Sequence, residues 1–372
     1  MDSHYRLHDP SEVFSPGLLF YRDIIRKNIK GLVARVGDPK KLRPHVKTHK
    51  TREIVRMQLE AGITKHKCAT IAEAEMVAGV GAPDVLLAYP VVGPNCGRLA
   101  RLIELFPGCQ FSTLVDHPDA AEALSDVMRG AGRTVDVLVD VDVGQHRTGI
   151  PPGPACIRLY EMIARLPGVT ATGLHVYDGH NHQHSLDERK QAVKQFLGAI
   201  ADLKGALAAK GLRVPRIVFG GTPTFPIYAE LGWPEAECSP GTCVLNDSNY
   251  SAWFADMAEF KPAALLLTRV VSRPTPNRVT FDIGTKAVAS DPPAGQRCVV
   301  LDVPNAVAVI HNEEHLVLET PAADRYRPGD VAYAMPAHVC PTSALHRFAY
   351  VVEGGKVVDR WEIASRDRML TV

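Results

Sequence analysis

The sequence lacks a strong net charge, a long apolar run and a signal-peptide core. Its 42 basic and 41 acidic residues give a formal net charge of +1, which excludes the broad basic surface that nucleic acid or an anionic membrane attracts. No apolar stretch reaches the roughly 20 residues that a bilayer span requires, and the first residues contain no signal-peptide core. We therefore expect a cytoplasmic protein with neither nucleic acid nor a membrane as a partner.

The sequence also lacks paired cysteines, internal repeats and low-complexity tracts. Its eight cysteines are scattered, and none forms a C-x-x-C pair. In a chain of 372 residues without a secreted framework, we expect them to be reduced and buried, with Cys340 as the exception. This length allows two or three domains.

Apolar runs alternate with helix-like segments along the first two thirds of the chain. Parallel βα units produce this alternation, and eight such runs predict a closed α/β barrel with its active site at the carboxyl ends of the strands. The predicted strands are residues 43–47, 66–71, 84–88, 111–116, 135–142, 171–177, 216–219 and 237–245.

Lys47 ends the first of these runs and is our candidate for a lysine that forms an imine with an aldehyde cofactor. Such a lysine must be discouraged from holding its proton, which cationic or apolar neighbours at a strand end achieve. The neighbours here include His45, His49 and Lys50. Lys47 would then face the active site.

Two turns of small residues follow the seventh and eighth predicted strands, at 220–224 and 239–242. Barrels often bind phosphate with the loops in these two places, because unpaired backbone N–H groups there point at the anion. We therefore expect a phosphate site opposite Lys47.

The last third of the chain has a different pattern of short apolar runs linked by turns, which predicts an antiparallel β domain. We predict a barrel domain at 22–250 and a β domain formed by 1–21 and 251–372, with the early run at 17–21 joining the latter. The predicted β runs are 263–271, 278–282, 298–303, 307–310, 331–335 and 348–352.

His338 and Cys340 are candidate metal ligands in a segment that looks like a strand. Residues two apart on a strand project to one face, so both side chains could reach one ion. Imidazole with thiolate suits Zn²⁺, and two protein ligands leave positions for water and a substrate hydroxyl. Glu313 and Glu314 are possible supporting acceptors.

Together these motifs resemble the alanine-racemase-like, fold type III pyridoxal-phosphate enzymes, in the branch of D-threonine aldolases and D-serine dehydratases. The resemblance spans nearly the whole chain and implies a (β/α)8 TIM barrel followed by a β domain. Its matching pieces are residues 43–50, 143–149, 220–222, 247–250, 312–315 and 336–342.

The resemblance also implies roles for individual residues. Lys47 would bind the aldehyde of pyridoxal 5'-phosphate, Arg147 would lie near its phenolic oxygen, and Tyr177 would approach its pyridine ring. Its phosphate would be held by Gly221, Thr222, Gly241 and Thr242. A divalent metal, Zn²⁺ or alternatively Mn²⁺ or Mg²⁺, would bind at the candidate ligand pair, and the chain would form a head-to-tail homodimer.

Two reactions on β-hydroxy-D-amino acids remain open. Aldolases of this branch pair the metal-binding histidine with an aspartate, whereas the dehydratases pair it with a cysteine, and this chain has Cys340. The residues at 177–179 and 247–250 look more like the aldolases. We favour retro-aldol cleavage to glycine and an aldehyde, with elimination to a keto acid and ammonia, from D-serine or D-3-hydroxyaspartate, as the alternative.

Other hypotheses use only part of this apparatus. A non-catalytic pyridoxal-phosphate carrier would need neither the β domain nor a metal pair. A racemase would need a second base, for which Tyr326, Tyr333 and Tyr350 are candidates. A further cluster of His180, His182 and His184 follows the sixth predicted strand, and we assign it no metal.

Overall fold

The computed structural model describes residues 3–372, which form two compact units. We call them the barrel unit, with Leu32–Lys47, Val55–Gly241 and Asp367–Val372, and the β unit, with the residues up to Gly31, Thr48–Ile54 and Thr242–Arg366. The chain therefore passes from one unit to the other at five points in the sequence. The domain limits predicted above stay a prediction.

Strands and helices are numbered along the chain. The strands are β1 Gly17–Tyr21, β2 Lys65–Cys68, β3 Asp84–Pro90, β4 Gln110–Val115, β5 Val135–Val141, β6 Val169–Val176, β7 Ile217–Phe219, β8 Ala236–Cys238, β9 Ala264–Thr275, β10 Arg278–Phe281, β11 Cys298–Val300, β12 Val307–His311, β13 Leu316–Glu319, β14 Val331–Pro336, β15 Phe348–Glu353 and β16 Lys356–Glu362. The helices are α1 Arg22–Val36, α2 Arg52–Glu60, α3 Ile71–Gly79, α4 Pro94–Leu105, α5 Pro118–Gly130, α6 Pro154–Ile163, α7 Leu186–Ala209, α8 Phe225–Ala229, α9 Ser248–Trp253 and α10 Val339–Leu345.

The sheet of the barrel unit is parallel and runs from β2 to β8 in sequence order, seven strands within the described residues. The predicted first strand, 43–47, is not a regular strand, because Pro44 lacks an N–H for the ladder and Val46–Thr48 forms a 3-10 turn. Isolated parallel bridges nevertheless join Leu42 to β8 and His45 to β2. This segment therefore closes the sheet into a barrel.

The barrel interior is built in layers. At the amino ends of the strands, the buried Arg43 guanidinium donates to Glu237 at 2.6 Å and to Asp84 at 2.7 and 2.9 Å. A layer of Leu86, Leu114, Leu138 and Val218 follows. Polar side chains lie beyond it at the carboxyl ends, where barrels hold their active sites.

The β unit contains the mostly antiparallel sheet that the sequence predicts. Its strand order is β12-β13-β10-β9-β1-β15-β16, with β14 pairing β9 and β11. The early strand β1 joins this sheet as predicted, antiparallel to β9 and parallel to β15. No helix within residues 3–372 combines the length and the apolar character needed to cross a membrane.

Candidate active site

Lys47 lies in the 3-10 turn that follows the barrel-closing segment, not in a strand as predicted. Its side chain is half-buried, and its backbone N–H donates to Nδ1 of His45 at 3.4 Å. Within residues 3–372, the Lys47 amine has no hydrogen bond or ion pair. This leaves a half-buried primary amine available for covalent chemistry.

Tyr177 and Arg147, which the sequence analysis assigned to the cofactor, lie together. The Arg147 guanidinium lies over the Tyr177 ring, 5.0 Å from its centroid. Tyr177 directly follows β6, and its ring stacks on that of His175 with centroids 6.4 Å apart. The Nζ of Lys67 lies 5.6 Å from the same Tyr177 centroid.

Asp140 and His175, which were not predicted from the sequence, form a buried pair near the carboxyl ends of β5 and β6. Oδ1 of Asp140 lies 2.7 Å from Nδ1 of His175, and its Oδ2 accepts from the Thr148 hydroxyl at 2.8 Å. Burial would raise the pKa of Asp140, but its bonds to His175 and Thr148 outweigh burial, so this pKa is lowered. The sequence offered one signal for this pair, since each residue is a polar residue near the carboxyl end of an apolar strand.

The first predicted phosphate turn lies against the Tyr177 ring. A Cβ on Gly221 would lie 3.1 Å from that ring, and one on Gly179 would lie 2.5 Å from it. The backbone at Gly179 and at Gly221 therefore approaches the Tyr177 ring closely enough that a side chain at either position would crowd it. Gly220 in the same turn has φ of +65°, which favours glycine.

The second predicted phosphate turn, at 239–242, is hydrogen-bonded to the first, at 220–224. The Gly241 N–H donates to the Thr222 hydroxyl oxygen at 3.1 Å, and Thr222 is buried. The structure thus brings together Gly221, Thr222 and Gly241 in the barrel unit. Thr242 begins a 3-10 turn of the β unit.

Asp178 joins the loop after β6 to the first phosphate turn and to helix α8. This buried carboxylate accepts hydrogen bonds from Thr224, Tyr228 and Asn181 at 2.9, 2.7 and 3.3 Å. Burial nevertheless raises its pKa. A buried carboxylate with three donors is a positioning group, since its lone pairs are committed to those donors.

In the β unit, His338 and Cys340 lie at the start of helix α10 rather than on a strand. His338 is the N-cap residue, and Cys340 lies in the first helical turn. The predicted strand geometry was therefore wrong, but the two side chains still interact. Burial would lower the pKa of His338, but hydrogen bonds and charges of Cys340 and Asp291 outweigh it and raise that pKa to about 9.

Both candidate ligands have further polar neighbours within the β unit. Oδ2 of Asp291 lies 2.5 Å from Nδ1 of His338, which leaves Nε2 for another partner. The Cys340 sulfur lies 3.1 Å from the Thr48 hydroxyl and 3.8 Å from the Thr242 hydroxyl. Asp291 was missed, because it precedes His338 by 47 residues and belongs to no motif.

Asp247 anchors the beginning of α10. Its carboxylate accepts the N–H of Val339 at 3.1 Å and that of Tyr250 at 2.9 Å. Burial raises the pKa of Asp247 to about 6, against the lowering effect of these hydrogen bonds. The 247–250 motif therefore holds the segment that carries the candidate metal ligands.

Other predicted groups have different surroundings. Glu313 and Glu314 are exposed and form ion pairs with Lys286 at 2.7 and 3.5 Å. The hydroxyls of the three candidate racemase bases are hydrogen-bonded to backbone groups of the β unit, with Asp302 O, Leu7 N and Phe14 N as the partners of Tyr326, Tyr333 and Tyr350.

The donor chemistry fits both cofactors that the sequence implies. A lysine amine without a partner and two close glycine turns beside an aromatic ring suit an aldehyde cofactor with a phosphate. His338 with its Nδ1 on a carboxylate and Cys340 beside it suit a divalent ion. Among the described residues, no group of three or more His, Cys, Asp or Glu side chains is placed to hold a metal ion.

Two family models match the sequence and together cover most of it. The alanine racemase N-terminal domain matches residues 21–247. A serine dehydratase domain matches residues 263–352. The first match alone covers more than half of the chain.

Known proteins resemble the chain over nearly their full lengths. A D-threonine aldolase of Arthrobacter sp is 34% identical over 87% of this chain and 85% of its own. A D-threo-3-hydroxyaspartate dehydratase of Delftia sp. (strain HT23) is 26% identical over 94% of this chain and 96% of its own. The crystal structure of D-threonine aldolase from Filomicrobium marinum superposes with a TM-score of 0.88 at 29% identity, covering 98% of this chain and 99% of that one.

Proposed function

The chain belongs to the alanine-racemase-like, fold type III pyridoxal-phosphate enzymes, in the branch of D-threonine aldolases and D-serine dehydratases, and we propose that it cleaves β-hydroxy-D-amino acids to glycine and an aldehyde. The relatives named above are lyases, which supports a pyridoxal-phosphate-dependent lyase. The observation that carries the aldolase assignment is the similarity to D-threonine aldolase, at 34% identity over 87% of the chain.

Lys47 binds the cofactor's aldehyde in this proposal. Its amine is half-buried and makes no hydrogen bond or ion pair among residues 3–372, so no partner must be displaced before it reacts. Bound pyridoxal phosphate supplies an electron sink for the Cα bond that breaks. Arg147 would attract the cofactor's phenolic oxygen by its charge, and Tyr177 would contact the pyridine ring.

The two glycine turns hold the phosphate. Gly221 and Gly241 allow the backbone to approach the anion closely, and the hydroxyls of Thr222 and Thr242 add donors. Gly179 keeps the space beside the Tyr177 ring open, since a Cβ there would overlap the ring. These residues orient the cofactor rather than react.

His338 and Cys340 hold a divalent ion, for which the nitrogen and sulfur donors favour Zn²⁺ over Mn²⁺ or Mg²⁺. When bound, the ion supplies Lewis-acid chemistry at the substrate hydroxyl. Oδ2 of Asp291 would accept a hydrogen bond from Nδ1 of His338, which would leave Nε2 to bind the ion.

One observation favours dehydration as the second candidate function. The observation is Cys340, because the resemblance implies an aspartate as the partner of the metal-binding histidine in the aldolases of this branch and a cysteine in the dehydratases. A dehydratase relative is 26% identical over 94% of the chain. In that reaction the free Lys47 amine would take the Cα proton, and this proton would then leave with the hydroxyl as water. The same residues would serve both reactions, so the two reactions are distinguished by their products.

The test is a product assay on the purified protein with pyridoxal phosphate and Zn²⁺ or Mn²⁺. D-threonine and D-serine are supplied separately, and glycine, acetaldehyde, keto acid and ammonia are measured. We expect glycine and acetaldehyde from D-threonine. Keto acid and ammonia instead would overturn the aldolase in favour of the dehydratase.

The matched variants are Lys47→Ala and Lys40→Ala. We expect Lys47→Ala to abolish both the absorbance of lysine-bound cofactor and the product. Lys40 is exposed on the segment before the barrel-closing residues, so its variant should behave as the wild type. We also propose a homodimer, which sedimentation should detect as about twice the chain mass of 40.5 kDa.

A further inference from the structure

Lys67 is a buried amine to which neither proposed reaction gives a role. It is the third residue of β2, and its side chain is only 2% exposed. Lys65 lies two residues earlier on the same face of the strand, and its ammonium bonds Glu237 at 2.5 Å. One strand thus carries a paired lysine at its start and a second lysine nearer the candidate site.

Lys67 has no such partner. Among the residues from 3 to 372, no hydrogen bond or ion pair involves its Nζ, which lies over the Tyr177 ring at 5.6 Å. The nearby carboxylates are committed elsewhere, Asp140 to His175 and Thr148 and Asp178 to three donors of its own loops. Lys67 is therefore a nearly fully buried residue whose amine has no hydrogen-bond acceptor among the described residues.

The surroundings of Lys67 disfavour its charge in the absence of a ligand. Burial, followed by the charges of Lys47 and Arg43, lowers the pKa of Lys67 to about 7, against the opposing attraction of Asp140 and Asp178. A buried ammonium without a partner is costly. An anion beside it would restore the charged form and supply the missing acceptor.

We propose that Lys67 is an anion-binding residue of the active site, whose ammonium donates to an anionic oxygen of the bound ligand beside Tyr177. This inference rests on the proposed function. That function brings two sources of such an oxygen to the site, the carboxylate of the amino-acid substrate and the phosphate or phenolate of the cofactor. Both offer the charge-assisted hydrogen bond that Lys67 lacks.

The experiment compares Lys67→Met with the wild type and with the surface control Lys210→Met. Met fills a similar volume without charge, and Lys210 is half-exposed and paired to Glu161. Pyridoxal phosphate is titrated into the cofactor-free protein by absorbance, and glycine is then titrated into the holoenzyme. Denaturant unfolding checks that each variant is folded.

We expect Lys67→Met to weaken one of the two ligands by about tenfold to a hundredfold, the usual loss for a hydrogen bond to a charged group. Weaker pyridoxal phosphate binding would identify a cofactor oxygen, and weaker glycine binding would identify the substrate carboxylate. Unchanged affinity for both ligands in a folded variant would overturn the proposal.

The pH dependence separates recognition of charge from a structural role. Lys67 binds an anion only when protonated, so the ratio of the wild-type affinity to the Lys67→Met affinity should fall as the pH rises through about 7. The ratio removes the titration of the ligands themselves, which is the same for both proteins. The titratable and charged groups that surround Lys67 remain in both proteins, namely Arg43, Lys47, Asp140, Arg147, His175, Tyr177 and Asp178.

Failure of the proposed function can be told apart from failure of this inference. If the wild type formed no lysine-bound cofactor, the proposed function would fail. Inorganic phosphate and glycine would then be titrated calorimetrically into the cofactor-free protein. Loss of anion binding in Lys67→Met would still support the site, and equal binding by both proteins would overturn it.

Discussion

The individual side chains that would carry the chemistry are oriented by neighbouring residues that do not react. Gly179 and Gly221 leave room for the Tyr177 ring, since a Cβ on either would crowd it. Asp291 fixes the ring of His338 through Nδ1. A metal-binding side chain that is already held by a hydrogen bond loses less conformational freedom when the metal binds. Asp291 should therefore increase the affinity for the metal.

Asp291 provides the sharpest test of this idea. We expect Asp291→Asn to weaken Zn²⁺ binding by about tenfold to a hundredfold, because the amide is a poorer acceptor for the His338 N–H. Competition with a chromophoric chelator measures the affinity directly, without reference to catalysis. The folded state should be nearly unaffected, since the Asp291 side chain is 54% exposed.

Glu313→Gln is the matched control for Asp291→Asn. Glu313 was a candidate metal-supporting residue from the sequence, but its carboxylate pairs with Lys286 at 2.7 Å. Its variant should bind Zn²⁺ as the wild type does. Equal affinities for all three proteins would remove Asp291 from the metal site.

The sequence predicted candidate residues that belong to recognisable motifs, such as Lys47, Arg147 and Tyr177. It could not predict pairs created by folding. Asp140 and His175 are 35 residues apart and meet only through the register of β5 and β6. Asp291 and His338 are 47 positions apart and were hidden in the same way.

At the scale of elements, the fold was predictable where hydrophobic pattern and local chemistry agree. Seven of the eight predicted barrel runs contain the strands β2 to β8 in part or whole. The segments around prolines were not predictable from pattern. Pro44 interrupts the first strand, whereas Pro341 suits the first turn of α10, where a missing N–H costs no helical bond.

Barrel closure depends on an ionic network that a strand pattern does not reveal. Arg43 in the closing segment bonds Glu237 of β8 and Asp84 of β3, and Lys65 of β2 also bonds Glu237. Burial would raise the pKa of Glu237, but the charges and hydrogen bonds of Arg43 and Lys65 outweigh it, so this pKa is lowered. The ionised network therefore stabilises the closed barrel.

Glu237→Gln tests that contribution. Removing one partner of a buried ion pair costs about 3 kcal/mol or more, so the variant should have a lower free energy of unfolding at neutral pH, measured in urea. Because the folded pKa of Glu237 is depressed, its contribution is fully present above its ordinary value of 4.5 and disappears as the pH falls through the folded value.

The two proteins should therefore converge in stability on acidification. Unfolding curves collected from neutral to acidic pH would reveal this, with the wild type losing stability more steeply than Glu237→Gln. Parallel pH profiles would mean that Glu237 contributes no charge-dependent stability to barrel closure.

At the scale of the whole molecule, both units are assembled from separated stretches of chain. The β unit takes Thr48–Ile54 from between two stretches of the barrel unit, and the barrel unit takes Asp367–Val372 from beyond the β unit. Lys47 and Thr48 are consecutive residues assigned to different units. Stretches of the two units therefore alternate along the chain, and neither unit corresponds to one continuous fragment.

This interleaving predicts that the two units unfold together. Thr48–Ile54 belongs to the β unit, whereas the chain on both sides of it belongs to the barrel unit. Unfolding of the β unit would release this segment and so disturb the barrel unit at both flanks. Two single-tryptophan variants can report on the units separately, because Trp233 lies in the barrel unit and Trp361 in the β unit. Each keeps one of the three tryptophans and carries phenylalanine at the other two positions.

We expect the urea midpoints from Trp233 fluorescence, Trp361 fluorescence and circular dichroism to coincide, which is the signature of one cooperative transition. The circular-dichroism curve of each variant serves as the control for any change in stability caused by the substitutions. If the Trp361 transition preceded the Trp233 transition within such matched proteins, the β unit would unfold alone. The five points at which the chain passes between the units would then be flexible enough for the β unit to unfold without destabilising the barrel unit.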